Sequence, residues 1–325
     1  MSDQLWKKGQ RGFSLVELMI AMVLGLFLMG GVIVVFIGSS QSFGHNEALS
    51  RVQENGRFAL EIVAQELRNA GFKGSCFTDA QYIIDVADPQ YVAAQAAYDL
   101  NDSVRGWDAA AGEFFAGSLV NYQANTDLLL VKHAANPSAA TLSADLDVTA
   151  AAFPVNGGAA PGTIMVISDA GGCNFFQNTA ALNAGSLQRG TAGQTINNQT
   201  VAAQPLTRRF KSDGSTIITL FSSTLFYVGS SDLGGANTTA LRRLSYDNGA
   251  PVDQELVEGV DNLTVSYATV SGAGPALNYA NTAAQITAAN NWDNVVAVRV
   301  VVNVQGEQNI SHQFSTTVAL RNRLR

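Results

Sequence analysis

An uncharged run from Leu18 to Gly38 stands near the start of this chain, with one acid, Glu17, at its head and Lys7, Lys8 and Arg11 just before it. A spanning helix needs roughly 20 apolar residues, so the run is long enough to cross a bilayer core. Its glycines, Gly25, Gly30, Gly31 and Gly38, are tolerated in membrane helices better than in soluble ones. The basic flank places the N-terminus in the cytoplasm by the positive-inside rule. Three readings compete. A cleaved secretory signal has an apolar region of about 7–15 residues and a small-residue cut site beyond it, and this run is longer. A plain single-span anchor leaves Glu17 unexplained, because a carboxylate inside a spanning helix costs roughly 2.5–3.5 kcal/mol on insertion scales. The third reading is a leader cut before the apolar segment.

The stretch Gly12-Phe13-Ser14-Leu15-Val16-Glu17-Leu18 resembles the class III leader of type IV pilins and type II secretion pseudopilins. That resemblance implies cleavage by a prepilin peptidase between Gly12 and Phe13 and methylation of the new amine of Phe13. It also implies that Glu17 pairs with the terminal amine of a neighbouring subunit as helices pack into a filament. The physics agrees, since an ammonium is a natural partner for a buried carboxylate. Major pilins often carry a proline partway along this segment, and none occurs between Phe13 and Gly71. Residues 1–12 are thus expected to be the leader, 13–38 the transmembrane and assembly half of a helix, and 39–325 a periplasmic globular domain that includes the helix's second half.

The residues from Phe13 to about Ala70 predict one continuous helix. Leu49, Val52, Gly56, Ala59, Val63 and Leu67 recur at gaps of three and four and mark one face. Glu47, Arg51, Glu54, Arg57, Glu61, Gln65, Glu66 and Arg68 mark the other. Gly71 is placed to take the left-handed cap conformation, and Gly38-Ser39-Ser40 with Gly44 offers a hinge midway. The apolar stripe needs a sheet to cover it, so the expected class is α+β: a long helix on antiparallel sheets with long loops.

Strands are predicted at Gln81–Val86, Asp127–His133, Thr163–Ser168, Thr216–Phe221, Thr224–Val228, Leu241–Tyr246, Asn262–Ala268, Val295–Val304 and Ser311–Leu320. Short helices are predicted at Ala93–Asp99 and Thr282–Asn290. Residues 134–160 and 179–204 are polar, Ala-rich and poorly patterned, and read as long surface loops.

The C-terminal third adds a second resemblance. Leu256-Val257-Glu258-Gly259-Val260-Asp261-Asn262-Leu263, then Trp292-Asp293-Asn294-Val295-Val296-Ala297-Val298-Arg299-Val300, then Thr316-Thr317-Val318-Ala319-Leu320-Arg321-Asn322-Arg323 resemble PilW-type minor pilins. The J-type minor pseudopilin of type II secretion shares a similar strand order and is the alternative. A membrane-tethered periplasmic enzyme or binding module is the alternative from another class. The resemblance implies a subunit that joins other minor pilins and the major pilin in a priming or tip complex, with an inner-membrane assembly platform and a large tip adhesin as further partners. It also implies support of assembly, twitching and adhesion, with an inner-membrane location first and a pilus location afterwards.

Composition narrows the remaining chemistry. The formal charge is −7, and loss of residues 1–12 removes three cations and one acid, leaving −9. An acidic chain with 14% charged residues argues against a nucleic-acid binder, which would show a basic face; the basic cluster Arg321, Arg323 and Arg325 lies on the tail. Two cysteines, Cys76 and Cys173, in a chain whose leader implies export, are expected to form a disulfide. Closing so long a loop stabilises by roughly 4–5 kcal/mol in the chain-entropy model. His45, His133 and His312 have no metal-like spacing, and there is no P-loop, G-x-S-x-G or dinucleotide fingerprint. No cofactor or enzymatic activity is expected. Asp99, Asn101 and Asp102, with Asp108 and Glu113 beyond, form a weak calcium candidate that lacks the spacing of an EF-hand loop. Trp107, Phe114 and Phe115 are expected to cover the sheet.

Overall fold

The computed structural model describes residues 12–233, 238–270 and 278–323. Lys7, Lys8 and Arg11 of the basic flank, and Arg325 of the tail, lie outside the described residues. One helix, α1, runs from Leu15 to Asn69. The chain divides into two compact units at Arg51 and Val52. In the first, the apolar side chains of α1 from Leu15 to Ile37 are exposed. Gly38, Ser39, Ser40 and Gly44 all have helical backbone, so the expected hinge is not a break. With no proline to remove a hydrogen bond, glycine alone only weakens a helix.

In the second unit α1 stops where Gly71 adopts φ +75°, a left-handed conformation that glycine takes at no steric cost. The end is well tied. Gly71 N–H donates to Lys132 O at 3.0 Å, and Asn322 Nδ2 donates to Ala70 O at 3.0 Å. Arg68 in the last turn suits the negative end of the helix dipole.

Beyond α1 come β1 (Gln81–Tyr82), α2 (Pro89–Ala93), α3 (Gln95–Tyr98) and β2 (Val104–Trp107). Then follow β3 (Leu128–Pro137), β4 (Thr141–Leu142), β5 (Ala152–Asn156), β6 (Ile164–Asp169), β7 (Gly172–Gln177) and β8 (Ser186–Gln188). The long β9 (Ile217–Ser230) leads to β10 (Thr239–Ser245), β11 (Val252–Glu258), β12 (Val260–Thr269) and β13 (Asn278–Asn281). Last are α4 (Ala283–Ala288), β14 (Val295–Gln305) and β15 (Ser311–Ala319).

An eight-stranded sheet has the order β1-β7-β6-β9-β10-β11, with β3 on β9 and β2 on β3. A four-stranded sheet has the order β13-β12-β14-β15, and a small sheet the order β4-β5-β8. Pairing is antiparallel except between β1 and β7. Val52, Ala59, Val63, Ala64 and Leu67 of α1, and Ala70 just past its end, are buried in one cluster with β12, β14, β3, β9 and β10. Val298, Val300, Val302 and Val304 of β14 and Leu263, Val265 and Tyr267 of β12 supply much of its floor. Gly56 lets α1 approach β15 closely, because a Cβ there would come within 2.2 Å of the Phe314 ring. A second cluster gathers α2, α3 and Phe115 over β3, β7 and β9, and a third lies between the small sheet and β6.

The α+β class and the antiparallel character hold, and several local expectations change. Thr216–Phe221 and Thr224–Val228 are parts of one strand, β9, because Ser222 and Ser223 are buried ladder residues rather than a break. Residues 134–160 and 179–204 are not plain loops: they hold the end of β3 with β4 and β5, and β8, respectively. Leu142, Leu146, Phe153 and Leu187 in them are buried. β1 is only two residues long, and the rest of Gln81–Val86 contributes a single bridge from Ile84 to Asn198. The helix expected at Ala93–Asp99 is α2 and α3 in succession, and β2, β7, β11 and β13 had no counterpart among the predicted strands.

Leu67 is fully buried between α1 and the sheets. Leu67→Ala should cost about 2–5 kcal/mol, read by urea unfolding of the full chain in detergent; a loss below ~1 kcal/mol would contradict this placement of the core. Asp247 gives a pH test. Burial raises its carboxyl above the usual range, the Glu66 charge raises it further, and hydrogen bonds from Ser223 N–H and Ser245 offset part of this. A raised folded value means that stability is highest with Asp247 protonated and falls as pH rises through that value. Asp247→Asn, which can still accept from Ser223 N–H, should therefore be more stable than wild type at pH 7, with the gap closing as pH falls towards ~4. A gap that widens on acidification would contradict the burial argument.

Candidate assembly site

Gly12, Phe13 and Ser14 precede α1 in non-helical backbone. Glu17 N–H donates to Ser14 Oγ at 3.2 Å, and Leu18 N–H donates to Ser14 O at 3.1 Å. Ser14 is therefore the N-cap, and helical structure begins immediately after it. The Ser14-x-x-Glu17 spacing is a capping signature legible in the sequence. Glu17 sits in the first turn, where the positive end of the helix dipole favours a carboxylate.

Glu17 is exposed, and Phe13 is 83% exposed. So is a continuous apolar surface that includes Leu15, Leu26, Phe27, Val35 and Phe36. A helix this long and apolar meets the length and composition required to cross a membrane. An apolar surface of this extent calls for lipid or for other helices around it. The chemistry on offer is simple. One carboxylate stands one turn into an apolar helix, four residues from the residue that would carry a terminal amine after a cut at Gly12.

In the second unit, the end of α1 and the segment after it are fixed to the eight-stranded sheet in three ways. Cys76 is disulfide-bonded to Cys173 of β7, with Cα atoms 5.7 Å apart, as the cysteine count suggested. Ser75 N–H donates to Ser168 Oγ of β6 at 3.0 Å. His133 of β3 is buried and holds Glu66 of α1 through Nε2 at 2.7 Å. Of the other histidines, His45 is exposed and His312 lies edge-on to Phe314.

The calcium candidates come together, but their oxygens already have protein partners. Asp99 Oδ1 accepts from Tyr82 Oη at 2.8 Å and from Asn101 N–H at 3.0 Å. Asn101 Oδ1 accepts from Ala80 N–H at 2.9 Å, and Asp102 Oδ2 faces Arg105 Nη1 at 3.4 Å. These groups staple the 99–102 turn to β1 on one side of a polar cleft of about 640 Å³. Asp108 accepts from Ala283 and Ala284 N–H and so caps the start of α4. Among the described residues no group of three or more His, Cys, Asp or Glu side chains is suited to a metal. Phe115 is buried, with Trp107 and Phe114 edge-on against it, so these aromatics cover the sheet.

Sequence reasoning gave no hint of the charge network on β10. Arg242 is 3% exposed and meets Asp232 at 2.9 Å, Glu255 at 3.4 Å and, more closely, Asp253. Tyr227 donates its hydroxyl to Asp253 and takes Val120 N–H at 3.0 Å. Pairing with Asp253 and Asp232 holds the guanidinium charged despite its burial. β10 was expected as a strand and β11 was not, and which side chains meet across the pair depends on a register shift between Leu241 and Arg242.

Two comparisons bear on this arrangement. Residues 225–317, from the second half of β9 into β15, match the family model for the type IV pilus-assembly protein W. Residues 7–33 match the prokaryotic N-terminal methylation motif. No curated protein and no solved structure matches the chain. The two matches fall on the apolar helix and on the sheet region that bears its buried stripe, and together they support a prepilin-like minor pilin of the PilW type in pilus assembly.

Proposed function

We propose that the chain is a minor pilin, cleaved between Gly12 and Phe13 by a prepilin peptidase, methylated on the Phe13 amine and held in the inner membrane by α1 until assembly. Its N-terminus is then cytoplasmic and its globular unit periplasmic. The observation that carries this reading is the exposed apolar helix headed by Phe13 and Glu17, coincident with the methylation motif at residues 7–33. The match at 225–317 favours a pilus role over a secretion pseudopilus.

The mechanism is an exchange of surroundings. In the bilayer, lipid covers the apolar face of α1, and a lone Glu17 carries an insertion penalty of roughly 2.5–3.5 kcal/mol. In the filament, helices of other minor pilins and the major pilin replace the lipid. The carboxylate of one chain then meets the terminal ammonium of another, which removes the penalty only when the helices are in register. The assembly platform lifts the helix out of the bilayer and the globular unit remains outside, where it joins a priming complex at the filament tip and supports adhesion and twitching. A large tip adhesin is the expected cargo of that complex.

Mass analysis of the N-terminal peptide from membrane-extracted protein should begin at methylated Phe13; a chain that still begins at Met1 would sink the proposal. Glu17→Ala should insert into the membrane normally but fail to co-assemble, with at least ~tenfold less of the chain in sheared pili, as expected from losing the paired charge. Wild-type incorporation of Glu17→Ala would remove the role assigned to that carboxylate.

A further inference from the structure

A sheet edge that is long, straight and uncharged is a template for another strand, and folded proteins ordinarily protect such edges. Most edges here are protected. β1, β2, β4, β8 and β13 each have four residues or fewer. β11 carries Asp253, Glu255 and Glu258, its ladder to β10 has a register shift, and Asn55 of α1 donates to Glu258 O at 3.0 Å.

β15 has none of these devices. It is nine residues long and contains no Pro, Lys, Arg, Asp or Glu. Its ladder to β14 runs from Ala297 opposite Ala319 to Gln305 opposite Ser311 without a shift, and no strand among the described residues pairs with its other side.

The direction of its free backbone groups follows from the ladder. Leu320 N–H donates to Val296 O, and at the hairpin end Gly306 N–H donates to Ile310 O. Hydrogen-bonded positions alternate in an antiparallel pair, so Phe314, Thr316 and Val318 face β14 with their backbone groups. Ser311, Gln313, Ser315, Thr317 and Ala319 then turn N–H and C=O towards the open side, and all five are exposed.

The side chains describe what would fit. On the α1 side of the sheet lie Phe314, half-buried over Gly56, and buried Val318. On the other side the exposed surface is hydroxyl, amide and methyl groups, with one cation, Arg299, opposite Thr317. Arg299 is exposed and has no ion-pair partner among the described residues.

We infer that β15 is a strand-addition edge, completed by an extended segment of a different polypeptide in the same assembly that places a carboxylate beside Arg299 and apolar side chains towards Phe314 and Val318. Main-chain hydrogen bonds provide the attachment and alternate side chains the selectivity. A second copy of this chain fits less well, since it would bring the same uncharged strand and a second unpaired arginine, and no carboxylate. The inference rests on the reading of the chain as an assembly subunit.

The test places a photo-crosslinking benzoylphenylalanine at Gln313 of the full chain in cells that assemble it. The expected result is an adduct whose linked peptide, sequenced by mass spectrometry, comes from a different chain and carries Asp or Glu close to the linked residue. Thr317→Pro removes an outward N–H without touching the β14 ladder, and Ser315→Lys places a charge on the edge. Each should cut the adduct at least ~tenfold while the thermal midpoint stays near that of wild type; if the proline variant unfolds, Ser315→Lys decides. Absence of an adduct, an adduct unchanged in Ser315→Lys, or an adduct to β15 of a second copy would overturn the inference. The N-terminal peptide is read from the same sample. Methylated Phe13 without the adduct removes only the strand-addition edge, whereas an intact Met1 removes the assembly reading itself.

Discussion

The burial of one helical stripe organises the globular unit. Val52, Ala59, Val63, Ala64, Leu67 and Ala70 cannot be covered by a single narrow sheet, and the cluster around them draws on both the eight-stranded and the four-stranded sheets. Burying Val52, Val63 and Leu67 contributes about 1.5–3 kcal/mol each before entropy is counted, and the stripe gives the two sheets a common surface to cover. The valine row of β14 and the alternating residues of β12 follow from it. They supply a flat apolar floor, and β-branched residues fit such a pleated surface well.

The helix, its cap at Gly71 and the Phe13–Glu17 head were legible because they depend on residues near one another in sequence. The α+β class was legible for the same reason, since helical period gives way to short alternating runs. What escaped was non-local. Ser222 and Ser223 look like a break between two strands, yet both are buried. Ser223 is satisfied there by Ala97 O and the Asp247 carboxylate, both remote in the chain. The strands β4, β5 and β8 are too short to show alternation, and the strand pattern of β7, Gly-Cys-Asn-Phe-Phe-Gln, is buried at every position and so has no polar face to reveal its period. Edge status escaped as well. β15 and β12 are similar runs of alternating residues, and only the pairing order tells which one has an open side.

The two ends of the chain do different physical work within one logic. α1 carries a surface that is incompatible with water and one charge that is incompatible with lipid. The globular unit instead ties down nearly every edge and terminus it has, with Asp108 on α4, Asn322 on the end of α1 and the Arg242 network on β10. Such tying fixes the shape of the globular unit.

The bond between Cys76 and Cys173 also decides where mechanical load travels. Tension applied along α1 leaves the helix at Asn69, crosses a short segment and reaches Cys76, where the covalent link passes it directly into β7 near the edge of the large sheet. Everything between the two cysteines, including β2, β3 and the small-sheet strands β4 and β5, lies inside a closed loop and outside that line of force. Along the covalent chain a pull on α1 therefore bypasses those strands, and β3 feels it through its contacts with the helix end, Gly71 N–H on Lys132 O and His133 on Glu66.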